Sequence, residues 1–157
     1  PLFGANRDVP LPTDPVAALW QAATTLREHR GDGHVALLTS AGLDGCEVHV
    51  LFAADENVPS ELYQSSRGWS ADDWASASSR LADRGLLDDR GMPTIAGRQL
   101  RAEIEQQTDR LAVVPYASLG TDRIERLLSD MDRMVDQILA ANDITFPNPM
   151  GLPAHDG

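Results

Sequence analysis

The chain has 157 residues, 42% of them hydrophobic, which is enough for one domain with its own core and too apolar for a disordered tail. Its 13 basic residues, all arginine, face 24 acids for a net charge of −11, which argues against a role that coats nucleic acid by bulk positive charge. One cysteine, Cys46, rules out an intrachain disulfide framework or a cysteine zinc site, and no run of 18 apolar residues offers a transmembrane helix, so a reducing cytoplasm is the default.

Four prolines within residues 1–15 predict an extended arm over 1–14 that needs another surface to lie against. Asp14 caps a helix that has Pro15 at its first position. Val16, Leu19, Trp20, Ala23 and Leu26 form its apolar stripe, and Gly31 ends it. Asp32 then opens a second helix, His34 to Ala41, closed by Gly42. Asp44 and Glu47 make a capping pair for a third helix over 44–54. The run Cys46–Val50 also alternates like a strand; helix is the favoured reading. Pro59 opens a short helix over 59–66.

Residues 67–112 are the most informative stretch. Ser70 with Asp73 is a capping-box pattern, flanked by Trp69 and Trp74 as a hydrophobic staple. Asp72 and Asp73 suit the positive end of the helix dipole, and Trp74, Ala77 and Leu81 share one face. Gly85 stops this helix. Leu86 and Leu87 start a short strand, Asp88-Asp89-Arg90-Gly91 is turn chemistry, and Thr94 caps a long helix carrying Ile95, Leu100, Ile104 and Leu111. A two-stranded wing is predicted at about 86–95. Gly120 precedes a last helix over 121–141, with Ile124, Leu127, Leu128, Met131, Met134, Val135 and Ile138 on one broad face, and 142–157 reads as coil.

The order helix, R-G-L-L, turn, T-x-x-G, helix resembles the MarR-type winged helix, with Pro93 where that family has leucine before Thr94. The runs at 19–38, 67–74, 82–91, 108–112 and 146–153 resemble, in order, the SalK-like winged-helix family of actinobacterial proteins. The resemblance implies a mainly α fold, a winged helix-turn-helix with a small two-stranded β wing and additional helices. It implies an arm at 1–14, a winged-helix domain at 15–112, a packing helix at 113–141 and a tail at 142–157. Members of that family have a helical N-terminal half, so this chain, opening at Pro1, reads as a C-terminal portion or a processed form. The family transfers no settled activity or cofactor.

Two clusters are candidates for function. Arg30, Asp32 and His34, near Glu28 and His29, combine a guanidinium, a carboxylate and an imidazole around Gly31 and Gly33, whose backbone admits a ligand. The bland alternative is a polar hinge, and His-x4-His is not a standard zinc spacing. On the 70–84 helix, Ser76, Ser79 and Arg80 face outward, with Arg90 at the wing tip, as a DNA-reading set. Asp72, Asp73 and Asp83 share that face and oppose phosphate. Trp20, Trp69 and Trp74 either line an apolar ligand pocket or fill the core. Two readings stay open: a ligand-responsive, regulator-like DNA binder, dimeric through its terminal helices, or a winged-helix scaffold that does not read DNA and binds a small molecule or supports an enzymatic step together with an N-terminal helical half.

Overall fold

The computed structural model describes residues 1–150; the end of the expected tail, 151–157, lies outside them. Among the described residues the architecture is helical: α1 (Leu2–Arg7), α2 (Pro15–Ser40), α3 (Gly45–Asp55), α4 (Ser60–Arg67), α5 (Ala71–Asp83), α6 (Ile95–Ala112) and α7 (Thr121–Ala140), with a 3-10 turn at Val114–Tyr116. Two compact units divide it. One holds Pro1–Asp44 and Arg98–Ala117, the other Gly45–Gly97 and the segment from Ser118 onward.

In the first unit the expected extended arm is in part helical, since Leu2–Arg7 form α1. α1 packs on α2. Its leading amides, from Leu2 and Phe3, donate to the Asp32 carboxylate at 3.1 and 2.9 Å. The predicted break at Gly31 is absent: α2 runs unbroken from Pro15 to Ser40. Asp32, read as the cap of a second helix, caps α1 instead. Isolated mid-helix glycines cost only about 1 kcal/mol each against alanine, which packing overrides. Gly33 has a packing reason, because a Cβ there would sit 3.3 Å from the Leu111 side chain of α6. Asp14 caps α2 by accepting from the Ala17 amide, and Gly42 (φ +66) closes it, its amide donating to Thr39 and that of Leu43 to Leu38.

The second unit centres on α3, which is helical over the stretch that also alternates like a strand. Cys46, Val50, Leu51 and Ala53 of α3 are buried, with Tyr63 of α4 and Ala77 and Leu81 of α5. α3 packs against both α4 and α5. The stop after α5 is the expected one. Gly85 (φ +69) donates to Ala82 and Leu86 to Leu81, the paired bonds of a glycine-ended helix.

The two-stranded wing is not there. Leu87 and Pro93 form one isolated antiparallel bridge, and no strand exists among the described residues. Two causes limit the ladder. Pro93 has no N–H to donate. The Asp88 carboxylate also takes the Arg90 and Met92 amides, each at 2.9 Å, folding 88–92 into a turn held by side-chain bonds. What remains is a tight turn, with Asp88 N–H donating to Met92 O at 2.8 Å and Thr94 N–H to Leu86 O at 3.0 Å.

Candidate nucleic-acid interface

α4 and α5 are joined by three residues, Gly68, Trp69 and Ser70, with Gly68 in the left-handed region at φ +74. This is the link a helix-turn-helix uses, with its second helix presented outward. The capping box is complete: the Ser70 hydroxyl accepts from the Asp73 amide at 3.1 Å, and the Asp73 carboxylate accepts from the Ser70 amide at 3.0 Å. The Ser70 hydroxyl also donates to the Asp73 carboxylate at 2.6 Å, and this bond, then the one from the Ser70 amide, holds the Asp73 carboxyl below its usual range.

Along the outer face of α5, Asp72, Asp73, Ser76, Ser79, Arg80 and Asp83 are all exposed. Arg80 is not a loose cation. Its Nε donates to Glu47 Oε1 at 2.9 Å, and Glu47 is only 4% exposed on α3. Arg90 is exposed in the 88–92 turn. The structure thus places Ser76, Ser79 and Arg80 on one helix, with Arg90 on the turn that follows it.

Beneath the start of α5 lies a cluster that sequence reasoning missed. The Trp69 indole N–H donates to His49 Nδ1 at 3.1 Å. The His49 ring stacks on Tyr63, centroids 5.2 Å apart, and Phe52 meets Tyr63 edge-on. An indole N–H can only donate, so His49 Nδ1 accepts and its proton resides on Nε2. Burial, then the Arg67 charge, push the His49 pKa below 6.5, partly opposed by the Gly45 carbonyl. The helical spacing of Cys46, His49, Val50 and Ala53 was the available signal. Trp69 therefore serves this cluster rather than a staple alone.

The second candidate cluster is in the other unit. Arg30 Nη2 lies 2.7 Å from Glu105 and 3.5 Å from Asp109. His34 Nδ1 lies 2.9 Å from Thr108 Oγ1, whose own proton goes to Ile104 O at 2.8 Å, so His34 donates. Burial lowers the His34 pKa against the raising effect of Glu105. His29 packs edge-on against Phe3. Because α2 is continuous, Gly31 and Gly33 offer no helix N-terminus. Arg30, Asp32 and His34 each have partners that tie α1 or α6 to α2. No group of three or more His, Cys, Asp or Glu side chains is set to hold a metal ion among the described residues.

The tryptophans also part ways. Trp20 is 76% exposed and, with Ala23, Thr24 and Arg27, lines a shallow depression on α2. Trp74 borders a groove in the second unit. Among the described residues no single helix is long and apolar enough to cross a membrane.

A capped second helix, a three-residue glycine turn before it and a tight turn after it define a helix-turn-helix domain. The profile of a helix-turn-helix family matches residues 1–145, and the chain belongs to that family. No curated protein and no solved structure matches it.

Proposed function

We propose that this is a regulator-type helix-turn-helix protein, of the SalK-like branch that its ordered motifs resemble, acting in an actinobacterial cytoplasm. α5 is its duplex-facing helix, through Ser76, Ser79 and Arg80, with Arg90 reaching the backbone from the turn. The observation that carries this is the Gly68–Ser70 link into a capped α5 whose outer face is exposed. Binding is weak. Three carboxylates share that face, the chain carries −11, and Arg80 is held by Glu47. Affinity on the order of micromolar or worse at physiological salt follows, the range of non-specific contact. Dimerisation through α7 would double the contact.

The second reading is a scaffold that does not read DNA and binds a small molecule, alone or with an N-terminal half. The Glu47–Arg80 pair favours it, since it takes the one base-reading type of side chain on α5 for packing. Fluorescence anisotropy against genomic fragments separates the two. Micromolar binding that weakens with salt and with Arg90→Ala supports the first. A nanomolar, sequence-selective complex abolished by Arg80→Ala would show that Arg80 leaves Glu47 to read bases. Absence of any binding at low salt leaves the scaffold reading.

A further inference from the structure

The groove bordered by Trp74 has a composition unlike the surface around it. It measures about 290 Å³ and lies wholly within the second unit, between the C-terminal half of α3, the inner side of α5 and the 88–92 turn. Val50, Val58, Leu87 and Met92 supply apolar walls, and none of its lining residues is ionisable. In a chain of net charge −11 that is a selective environment. An anion would meet no counter-charge there, and a cation would meet no carboxylate to offset its lost hydration.

Two polar groups on the lining have no partner among the described residues. Among the described residues the Trp74 indole N–H and the Asn57 side-chain amide make no hydrogen bond, and Asn57 is held at φ +52. Ser78, by contrast, donates to the Trp74 carbonyl. An apolar recess lined with a few polar groups is the usual form of a small-molecule site. Its volume is that of roughly ten waters, hence of an occupant with about ten non-hydrogen atoms.

We propose that this groove binds a small, neutral, largely apolar molecule that presents a hydrogen-bond acceptor to the Trp74 indole N–H and the Asn57 amide. The site does not depend on DNA contact. It is distinct from the Arg30, Asp32 and His34 cluster, which lies in the other unit and is charged. Its walls are α5 and the following turn, so an occupant would brace those two elements against α3.

Coumarin is a suitable probe: neutral, flat, and bearing a lactone acceptor. Titrated into the full chain and followed by 1H–15N NMR, it should shift the Trp74 indole resonance, assigned through Trp74→Phe, with Kd on the order of 0.1–1 mM. Trp74→Phe should weaken binding about threefold to tenfold, the loss of one hydrogen bond. Met92→Asp, at a 46% exposed rim position, should weaken it tenfold or more by placing a carboxylate in the recess. Coumarin-3-carboxylate at pH 7.5 should bind at least tenfold more weakly than coumarin. The proposal is overturned if coumarin leaves the Trp74 indole resonance unmoved up to its solubility limit. It is equally overturned if the carboxylate binds as well as the neutral probe, or if folded Met92→Asp binds coumarin as the wild type does. The wild-type resonance decides the matter even if a variant fails to fold.

Discussion

Arg80 and Glu47, thirty-three residues apart in sequence, are joined by a 2.9 Å bond between α5 and α3. Its partners are unlike: Glu47 is buried, while the guanidinium is about half exposed. A buried carboxylate that loses its cation keeps its desolvation cost, which is why breaking such a pair costs more than forming it returns. The exposed side of this pair tempers that cost.

Arg80→Ala is therefore expected to destabilise the protein by about 1–3 kcal/mol. Glu47→Gln, which removes the buried charge and keeps the shape, should cost less. Urea melts of the two variants check this, and equal stability of Arg80→Ala and wild type would mean that the pair contributes nothing.

Two histidines set an acid limit. Burial is the first cause of the lowered pKa of both His34 and His49. A histidine whose folded pKa lies below its ordinary 6.5 takes up protons more readily unfolded. Its contribution is complete above 6.5 and drains away as pH falls through 6.5 towards the depressed value. The Tm should accordingly drop between pH 7.5 and 5.5. His49 should account for more of the drop. Protonation there sets a new N–H against the Trp69 donor, whereas His34 already donates to Thr108. His49→Gln should flatten the profile more than His34→Gln, and the reverse ranking would undo this assignment.

Three helical glycines should respond differently to alanine. At Gly97 the new Cβ would lie 2.3 Å from the Leu86 carbonyl oxygen, a backbone atom with little room to retreat. A loss of about 3 kcal/mol or more is expected. At Gly31 the nearest atom is the end of Glu28 at 3.9 Å, so alanine should add stability, up to about 1 kcal/mol. Gly33 should fall between, because Leu111 must give way. Thermal melts of the three single variants test the order.

None of α7's residues is buried, and Ile124, Leu127, Met131, Met134 and Ile138 follow a three–four spacing along it. Such a seam is expected to pair with another chain or a further helical domain. Light scattering should report an assembly larger than a monomer, and Leu127→Asp should dissolve it. A strict monomer, with this face packed wholly within its own chain, would contradict that expectation.

What the sequence revealed was what neighbours in sequence decide. Ser70 and Asp73 are three residues apart and cap each other as read. Gly85 ends α5, and Thr94 accepts the Gly97 amide at 3.1 Å to start α6. The misreadings share a different cause. Asp32 looked like a local cap, but its amide partners are Leu2 and Phe3, about thirty residues away. Glu47, read only as a local partner for Asp44, is also the buried mate of Arg80, thirty-three residues away. The wing failed at one residue whose effect was legible, Pro93, and one whose effect was not, since the Asp88 side chain diverts the Met92 amide that a ladder would need and ties down the Arg90 amide of the turn. Of the candidate site, the faces of α5 followed from periodicity. The His49–Trp69 bond and the groove beside Trp74 required tertiary packing.

The backbone of Leu86 serves three neighbours at once. Its N–H closes α5 on Leu81, its carbonyl accepts the Thr94 amide, and the same oxygen fills the space a side chain at Gly97 would need. The end of one helix, the turn and the start of the next therefore share a single fastening. Under native-state hydrogen exchange the amides of Leu86 and Thr94 should open together, as one cooperative unit rather than as a fraying helix end and an independent loop. A motion that tilts α5 must then be felt at the first turn of α6.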